Sequence, residues 1–271
     1  MKKLTSMLPV LLFIIGLGIL SYPTVSNVYN KMMGSRAVGG YNTLVSATSE
    51  EEIKQIYSNA KDYNERLLNS PQKLINGKSE NEDYLSQLKI SENTQIIGSV
   101  EIPSIGVNLS IYHGTDEPVL QRAVGHLEGS SLPIGGESTH TVLTGHTGLP
   151  SAKLFTDINK LVLGDKIIIK VLNQTMIYEV FDMEVVLPEE VDSLLIQKYR
   201  DLATLVTCTP YGVNSHRLLV HANRIDEIEY EMDNSIGNEA LMADYIIISS
   251  VAAALIIFIV SAIFIFRRSR R

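Results

Sequence analysis

The chain has 271 residues, is 45% hydrophobic and carries a net charge of −7. Lys2, Lys3 and four C-terminal arginines hold six positive charges at the ends, so residues 4–266 stand at −13. That acidity argues against nucleic-acid binding, which needs clustered Lys and Arg against phosphate, and a single cysteine excludes an internal disulfide.

Residues 4–30 carry no charge, and their apolar centre runs from Met7 to Leu20. A signal peptide or an uncleaved anchor fits this pattern. The exit, Ser21-Tyr22-Pro23, has no small-x-small cleavage site, which favours the anchor, and the polar sequence that follows disfavours a buried core helix. Residues 31–48, punctuated by Gly34, Gly39 and Gly40, read as a linker. Ser49-Glu50-Glu51-Glu52 fits a capping box, and Ile53, Ile56, Tyr57, Ala60, Tyr63 and Leu67 follow at helical spacing until Asn69-Ser70-Pro71. Residues 72–80 read as an exposed loop, and Asn81 to Leu88 as a second short helix.

From Gln95 the period changes to that of strands. The candidates are Ile96 to Pro103, Val107 to Ile111, Thr141 to Leu143, Lys166 to Val171, Met176 to Phe181, Thr204 to Thr207 and Leu218 to Ala222. Their irregular spacing and Gly/Pro punctuation predict one all-β domain, a closed barrel with a few helical connections, one of them over Val191 to Tyr199. Asn108-Leu109-Ser110 and Asn173-Gln174-Thr175 match the glycosylation pattern and read as chance matches in a strand or turn. Tyr245 to Phe266 is a second uncharged apolar segment, followed by Arg267-Arg268-Ser269-Arg270-Arg271. At about 1.5 Å per residue its length matches the roughly 30 Å hydrocarbon core. Basic residues outside both apolar segments place both termini in the cytoplasm and the region between them outside. The expected division is an anchor or signal over 1–30, a linker and helical region over 31–94, the barrel over 95–226, a juxtamembrane linker over 227–244, a transmembrane helix over 245–266 and a basic tail over 267–271.

Cys208 lies in Thr204-Leu205-Val206-Thr207-Cys208-Thr209-Pro210-Tyr211-Gly212, where an apolar run meets a turn. A lone cysteine is an inert core thiol, an intermolecular linker or a nucleophile. A hairpin of 204–207 with 218–222 would bring Arg217 to the same sheet end. A guanidinium there can lower the thiol pKa, donate to an oxyanion or hold a substrate backbone. A proton carrier must come from His113, His126, His140, His146, His216 or His221. His146 leads on spacing: it follows an apolar strand in Thr144-Gly145-His146-Thr147-Gly148, where flanking glycines leave the ring unobstructed. The sequence offers no convincing metal site, no phosphate-binding loop and no G-x-S-x-G elbow, so no metal or cofactor is expected.

At these residues, over about 95–225, the chain resembles the sortases, the surface transpeptidases of Gram-positive bacteria. Thr204-Leu205-Val206-Thr207-Cys208 matches the family's Thr-Leu-x-Thr-Cys pattern, Arg217 follows a short loop as the family's arginine does, and Leu143-Thr144-Gly145-His146 matches its Leu-x-Gly-His pattern. Within the family the likeness is to class C, the pilin-polymerising enzymes, through stretches such as Gly125 to Pro133, Gly145 to Phe155 and Cys208 to Gly212; a C-terminal membrane segment is typical of that class. The resemblance implies an eight-stranded β-barrel with His146, Cys208 and Arg217 as catalytic residues. Many class C enzymes also carry a lid in which Asp-Pro-aromatic plugs the site. Asn69 to Leu88 has no such triplet, and Asp83-Tyr84 is its nearest counterpart.

The activity so implied is a cysteine transpeptidation. A Leu-Pro-x-Thr-Gly-like sorting signal would be cleaved between Thr and Gly through a thioacyl-enzyme, and the acyl group passed to a lysine amine of a pilin subunit. The partners would be pilins, surface proteins with such signals, and the membrane. The alternatives are transfer to cell-wall peptidoglycan, a cysteine protease with water as acceptor, and a non-catalytic, membrane-tethered scaffold or adhesin.

Overall fold

The structure is a computed structural model and describes residues 2–70, 72–91 and 94–226. Eight strands close into one barrel: β1 (Ile96–Ile102), β2 (Val107–His113), β3 (Val124–His126), β4 (Thr139–Thr144), β5 (Lys166–Val171), β6 (Gln174–Val186), β7 (Asp201–Thr209) and β8 (His216–Ile225). Their order around the barrel is β1-β2-β3-β4-β7-β8-β6-β5. The β2–β3 and β4–β7 ladders are parallel and the other six antiparallel. The inward face is a single apolar core that includes Val100, Ile102, Ile111, Leu143, Ile169 and Leu205. The closed all-β architecture agrees with the sequence reading.

Helix α1 (Lys2–Ala47) runs unbroken through the stretch expected to be a linker. Val38, Tyr41 and Val45 recur at helical spacing and are buried against the barrel. Tyr41 Oη donates to Ile97 O at 3.1 Å and accepts from Leu172 N at 2.9 Å, so one hydroxyl ties the helix to β1 and to the β5–β6 turn. Each glycine costs a helix about 1 kcal/mol; packing of this face outweighs the three at 34, 39 and 40. The preceding part of α1 is long and apolar enough to cross a membrane by length and composition. The second apolar segment at 245–266, with its flanking linker and tail, lies outside the described residues.

Helix α2 (Glu50–Leu68) starts as the capping box predicts, with Ser49 Oγ accepting from Glu52 N at 3.2 Å, and ends at Asn69. Asn64 on its buried face pairs with the Leu132 backbone in both directions. Helix α3 (Glu82–Ser86) is capped by Asn81. Its Tyr84 is fully buried: the hydroxyl lies 2.8 Å from His126 Nδ1 and accepts from Gly114 N at 3.1 Å, and the ring meets His113 edge-on. Between Val191 and Tyr199, where a helix was expected, there is only a 3-10 turn over Asp192–Leu194. Tyr199 takes a left-handed backbone (φ 64°), which an α-helix does not admit.

Burial pushes the imidazoles of His126 and His140 down to about 4, and that of His113 down to about 3. Unfolded histidine titrates near 6.5. Between roughly pH 6.5 and 4 the unfolded chain therefore binds protons that the folded barrel refuses, and stability falls as pH falls. Each such histidine contributes about 1.4 kcal/mol per pH unit in that window. Denaturant midpoints at pH 7 and pH 5 test this: the midpoint is expected to be lower at pH 5, and equal midpoints would mean that these rings are charged inside the fold.

Candidate active site

Three strand ends meet at one rim of the barrel. In the antiparallel β7–β8 ladder Cys208 lies directly opposite Arg217. In the parallel β4–β7 ladder Thr144 is level with Val206. The pairing continues past the end of β4: Gly145 N donates to Val206 O at 3.0 Å and Thr207 Oγ1 donates to Gly145 O at 2.7 Å. His146 follows Gly145 directly, so it leaves the ladder at the same rim at which β7 presents Cys208. The three residues singled out from the sequence thus come from three adjacent chain segments at one end of the sheet.

Alternation decides which face they occupy. Leu205, Leu218 and Leu143 belong to the interior core, whereas Val142, Val206 and Leu219 join Leu127 and Leu194 in a second apolar cluster outside it. Cys208 stands two residues from Val206, and Arg217 two from Leu219, so both lie on the outer face. Below the Cys208 row this wall is covered: Val186 at the end of β6 and Val191 and Leu194 of the β6–β7 connection pack on it and close the apolar cluster. Deeper still, the wall is pinned by a polar chain. His140 Nδ1 lies 3.0 Å from Leu195 O, His140 Nε2 2.7 Å from Thr204 Oγ1, Thr204 Oγ1 2.8 Å from His221 Nδ1, and His221 Nε2 3.1 Å from Glu184 Oε1.

The loop that carries His146 is locked by close packing. A Cβ on Gly145 would fall 2.7 Å from the Phe155 ring, so the ring packs directly on this backbone, and Phe155 N donates to His146 O at 3.1 Å. Gly148, at φ +77°, lies under the Tyr211 ring. Helix α4 (Glu117–Leu120) adds a residue that no sequence motif announces: Glu117 Oε2 is 3.2 Å from His146 Nε2. Gln121 donates to the same carboxylate, and this bond first, with His146 second, holds the Glu117 carboxyl below its ordinary range. Arg217 Nη1 donates to the carbonyls of His216 and Asn214. Cys208 is half-buried. The remaining histidines are placed elsewhere: His113 and His126 around Tyr84, His140 and His221 in the polar chain, and His216 beside Ser215 Oγ. Among the described residues no His/Cys/Asp/Glu cluster could hold a metal. A thiol, an imidazole with a carboxylate behind it and a guanidinium suffice for covalent acyl transfer.

Residues 72–80 are a loop, as read from sequence, with Lys73, Ile75, Asn76, Lys78 and Glu80 exposed, and the loop is docked as a strap over this apolar cluster. Leu74 packs against it. Ile75 N donates to Glu128 O at 2.9 Å, Ile196 N to Gln72 Oε1 at 2.8 Å, and Thr115 N to Gly77 O at 2.9 Å. Gly129 is required under the strap, because a Cβ there would meet Lys73 O at 2.0 Å. Tyr84, from the dipeptide nearest to the missing lid triplet, is committed to His126 and does not cover Cys208.

A profile of the sortase domain matches residues 100–225. Sortase C1 of Streptococcus agalactiae is 47% identical, with a TM-score of 0.67 over 71% of this chain and 99% of that one. Sortase C of Streptococcus pneumoniae is 38% identical, with a TM-score of 0.65 over 70% of this chain and 97% of that one. Sortase A of Streptococcus agalactiae serotype III is 27% identical over 164 residues, 59% of this chain and 64% of that protein.

Two substitutions test the geometry. Gly145→Ala forces Phe155 aside and is expected to cost about 1–3 kcal/mol, read as a lower melting temperature; an unchanged melt would mean that the ring moves freely. Leu74→Ala loosens the strap and is expected to raise the rate at which a thiol reagent labels Cys208. An unchanged rate would show that the strap does not govern access.

Proposed function

Because this chain belongs to the sortase family of cysteine transpeptidases, we propose that it polymerises pilins by way of Cys208, His146 and Arg217. The observation that carries this reading is the pairing of β4, β7 and β8, which supports a thiol, an imidazole and a guanidinium on one outer rim above an apolar cluster. Apolar side chains on that wall would suit the Leu and Pro of a Leu-Pro-x-Thr-Gly-like signal once Leu74 of the strap is displaced. Cys208 thiolate attacks the Thr carbonyl, and Arg217 holds the oxyanion and the substrate backbone. His146, as imidazolium, gives its proton to the departing glycine amine, leaving a thioacyl-enzyme. A lysine amine of the next pilin attacks the thioester, His146 takes up the amine proton, an isopeptide bond forms and the thiolate leaves. The energy of the cleaved peptide bond is held in the thioester, so the exchange consumes no ATP.

Transfer to pilin rather than to another acceptor is supported by the likeness to sortase C structures, the pneumococcal one having been described with pilin substrate specificity in view. The sortase A relative supports a second reading, in which cell-wall peptidoglycan is the acceptor. The chain's place at the membrane is supported by the apolar part of α1, which would hold the enzyme beside substrates retained on the same surface.

Intact mass spectrometry with a Leu-Pro-x-Thr-Gly peptide and a pilin carrying the acceptor lysine tests the assignment. An adduct on Cys208 that moves to the pilin lysine is expected, and a covalent pilin ladder rather than single wall-linked species. Cys208→Ala is expected to form no adduct, and His146→Ala to lose about 10²–10⁴-fold in rate. Cross-linking that survives in Cys208→Ala would overturn the reading.

A further inference from the structure

A second site lies where α1 leaves its apolar stretch. A cavity of about 390 Å³ opens between α1 and the barrel, with Lys31, Arg122, Lys153 and Lys160 around it and Asp157 as the one carboxylate. Asp157 is bonded to Lys160 at 2.9 Å and lies 3.6 Å from Lys153. Four cations against one anion make a local excess of three positive charges, in a chain whose residues 4–266 stand at −13. The same cavity has apolar walls from Ile105, Val107 and Leu109. A cationic rim over an apolar wall is complementary to a phosphodiester attached to a hydrocarbon root.

Its height along the helix points to the same ligand. Tyr22 and Tyr29 are exposed on α1, as residues of a membrane-interface belt are. Because α1 is continuous, its rise of about 1.5 Å per residue puts Asn27 about 6 Å and Lys31 about 12 Å past Pro23. The headgroup layer on each side of a bilayer is roughly 5–8 Å thick, and a lysine stem reaches back toward it. The loop that brings Lys153 is fastened at this level: Asn30 Nδ2 donates to Ser151 O at 2.7 Å and Lys153 N donates to Asn27 Oδ1 at 2.9 Å.

We infer that this notch binds the phosphate of an anionic phospholipid headgroup and so seats the barrel on the membrane surface. The inference rests on reading the apolar part of α1 as a membrane anchor. It places the His146–Phe155 loop, whose far end the same asparagines hold, next to the lipid surface.

The full chain, reconstituted in nanodiscs of phosphatidylcholine with or without a photoactivatable phosphatidylglycerol, provides the test. Cross-links are expected to concentrate on the peptides containing residue 31 and residues 153–160, to weaken at high salt, and to fall about fivefold for each lysine replaced in Lys31→Gln and Lys153→Gln. Unchanged thiol labelling of Cys208 would show that these variants are folded. Equal cross-linking in the variants overturns the site, and so does loss of cross-linking to inorganic phosphate at matched ionic strength, which would mark a pocket for free anions. A chain that carbonate extracts from every bilayer would instead refute the anchor, and the headgroup site with it.

Discussion

The parallel pairing of β4 with β7 is the constraint on which the rim depends. A parallel neighbour cannot be reached by a tight hairpin, so these two strands are brought side by side from distant parts of the chain, with residues 62 apart held level from Thr139 and Asp201 to Thr144 and Val206. Strand ends usually fray, but this ladder is extended beyond its last pair by Gly145 N on Val206 O and by Thr207 Oγ1 on Gly145 O. Thr207 points inward and Cys208 outward, so one dipeptide both fastens the neighbouring segment and presents the thiol. A slip of one residue would turn every side chain of β7 to the opposite face, and Cys208 would enter the core.

That inversion is guarded against on both sides of the wall. β7 is buried on both faces: Ala203 and Leu205 lie against the interior and Val206 in the outer apolar cluster, while Thr204 and Thr207 satisfy their hydroxyls on His140 and Gly145 O. The outer cover consists of the β6–β7 connection and the strap at 72–79, neither of which is regular structure. The strap is bonded to the barrel through Ile75 N on Glu128 O and through Gly77 and Thr115 in both directions, and Ile196 N on Gln72 Oε1 ties the two covers together.

Much of this was legible in the sequence. β5 occupies Lys166–Val171, the bounds its apolar run predicts, and the capping box at Ser49 begins α2 where it should. What escaped had no local signal. β3 is three residues, Val124-Gly125-His126, too short for a period; it is a strand only because β2 and β4 pair with it. The glycines at 34, 39 and 40 signal a linker, and only burial of Val38, Tyr41 and Val45 on the barrel makes that stretch helical. At the site, Cys208, Arg217 and His146 sit in motif-bearing segments, whereas Glu117 reaches His146 across 29 residues of chain through a four-residue helix. Leu74 likewise announces nothing in sequence, because its role is set by the wall it lies against.

The His146 loop is held from two directions that have different physical origins. On the barrel side the fastening is steric: Phe155 on Gly145 and Tyr211 over Gly148 leave no room for a Cβ of ordinary freedom. On the helix side it is polar: Asn27 and Asn30 engage the backbone of Lys153 and Ser151. A close-packed contact does not deform continuously, so the ring on Gly145 fixes the backbone that carries the imidazole. Hydrogen bonds to an exposed loop are worth about 1 kcal/mol each and yield far more readily. A tilt of the barrel relative to α1 would therefore break the asparagine contacts before it displaced Phe155. The helix can hold the end of the loop at Ser151 and Lys153 without setting the packing around His146.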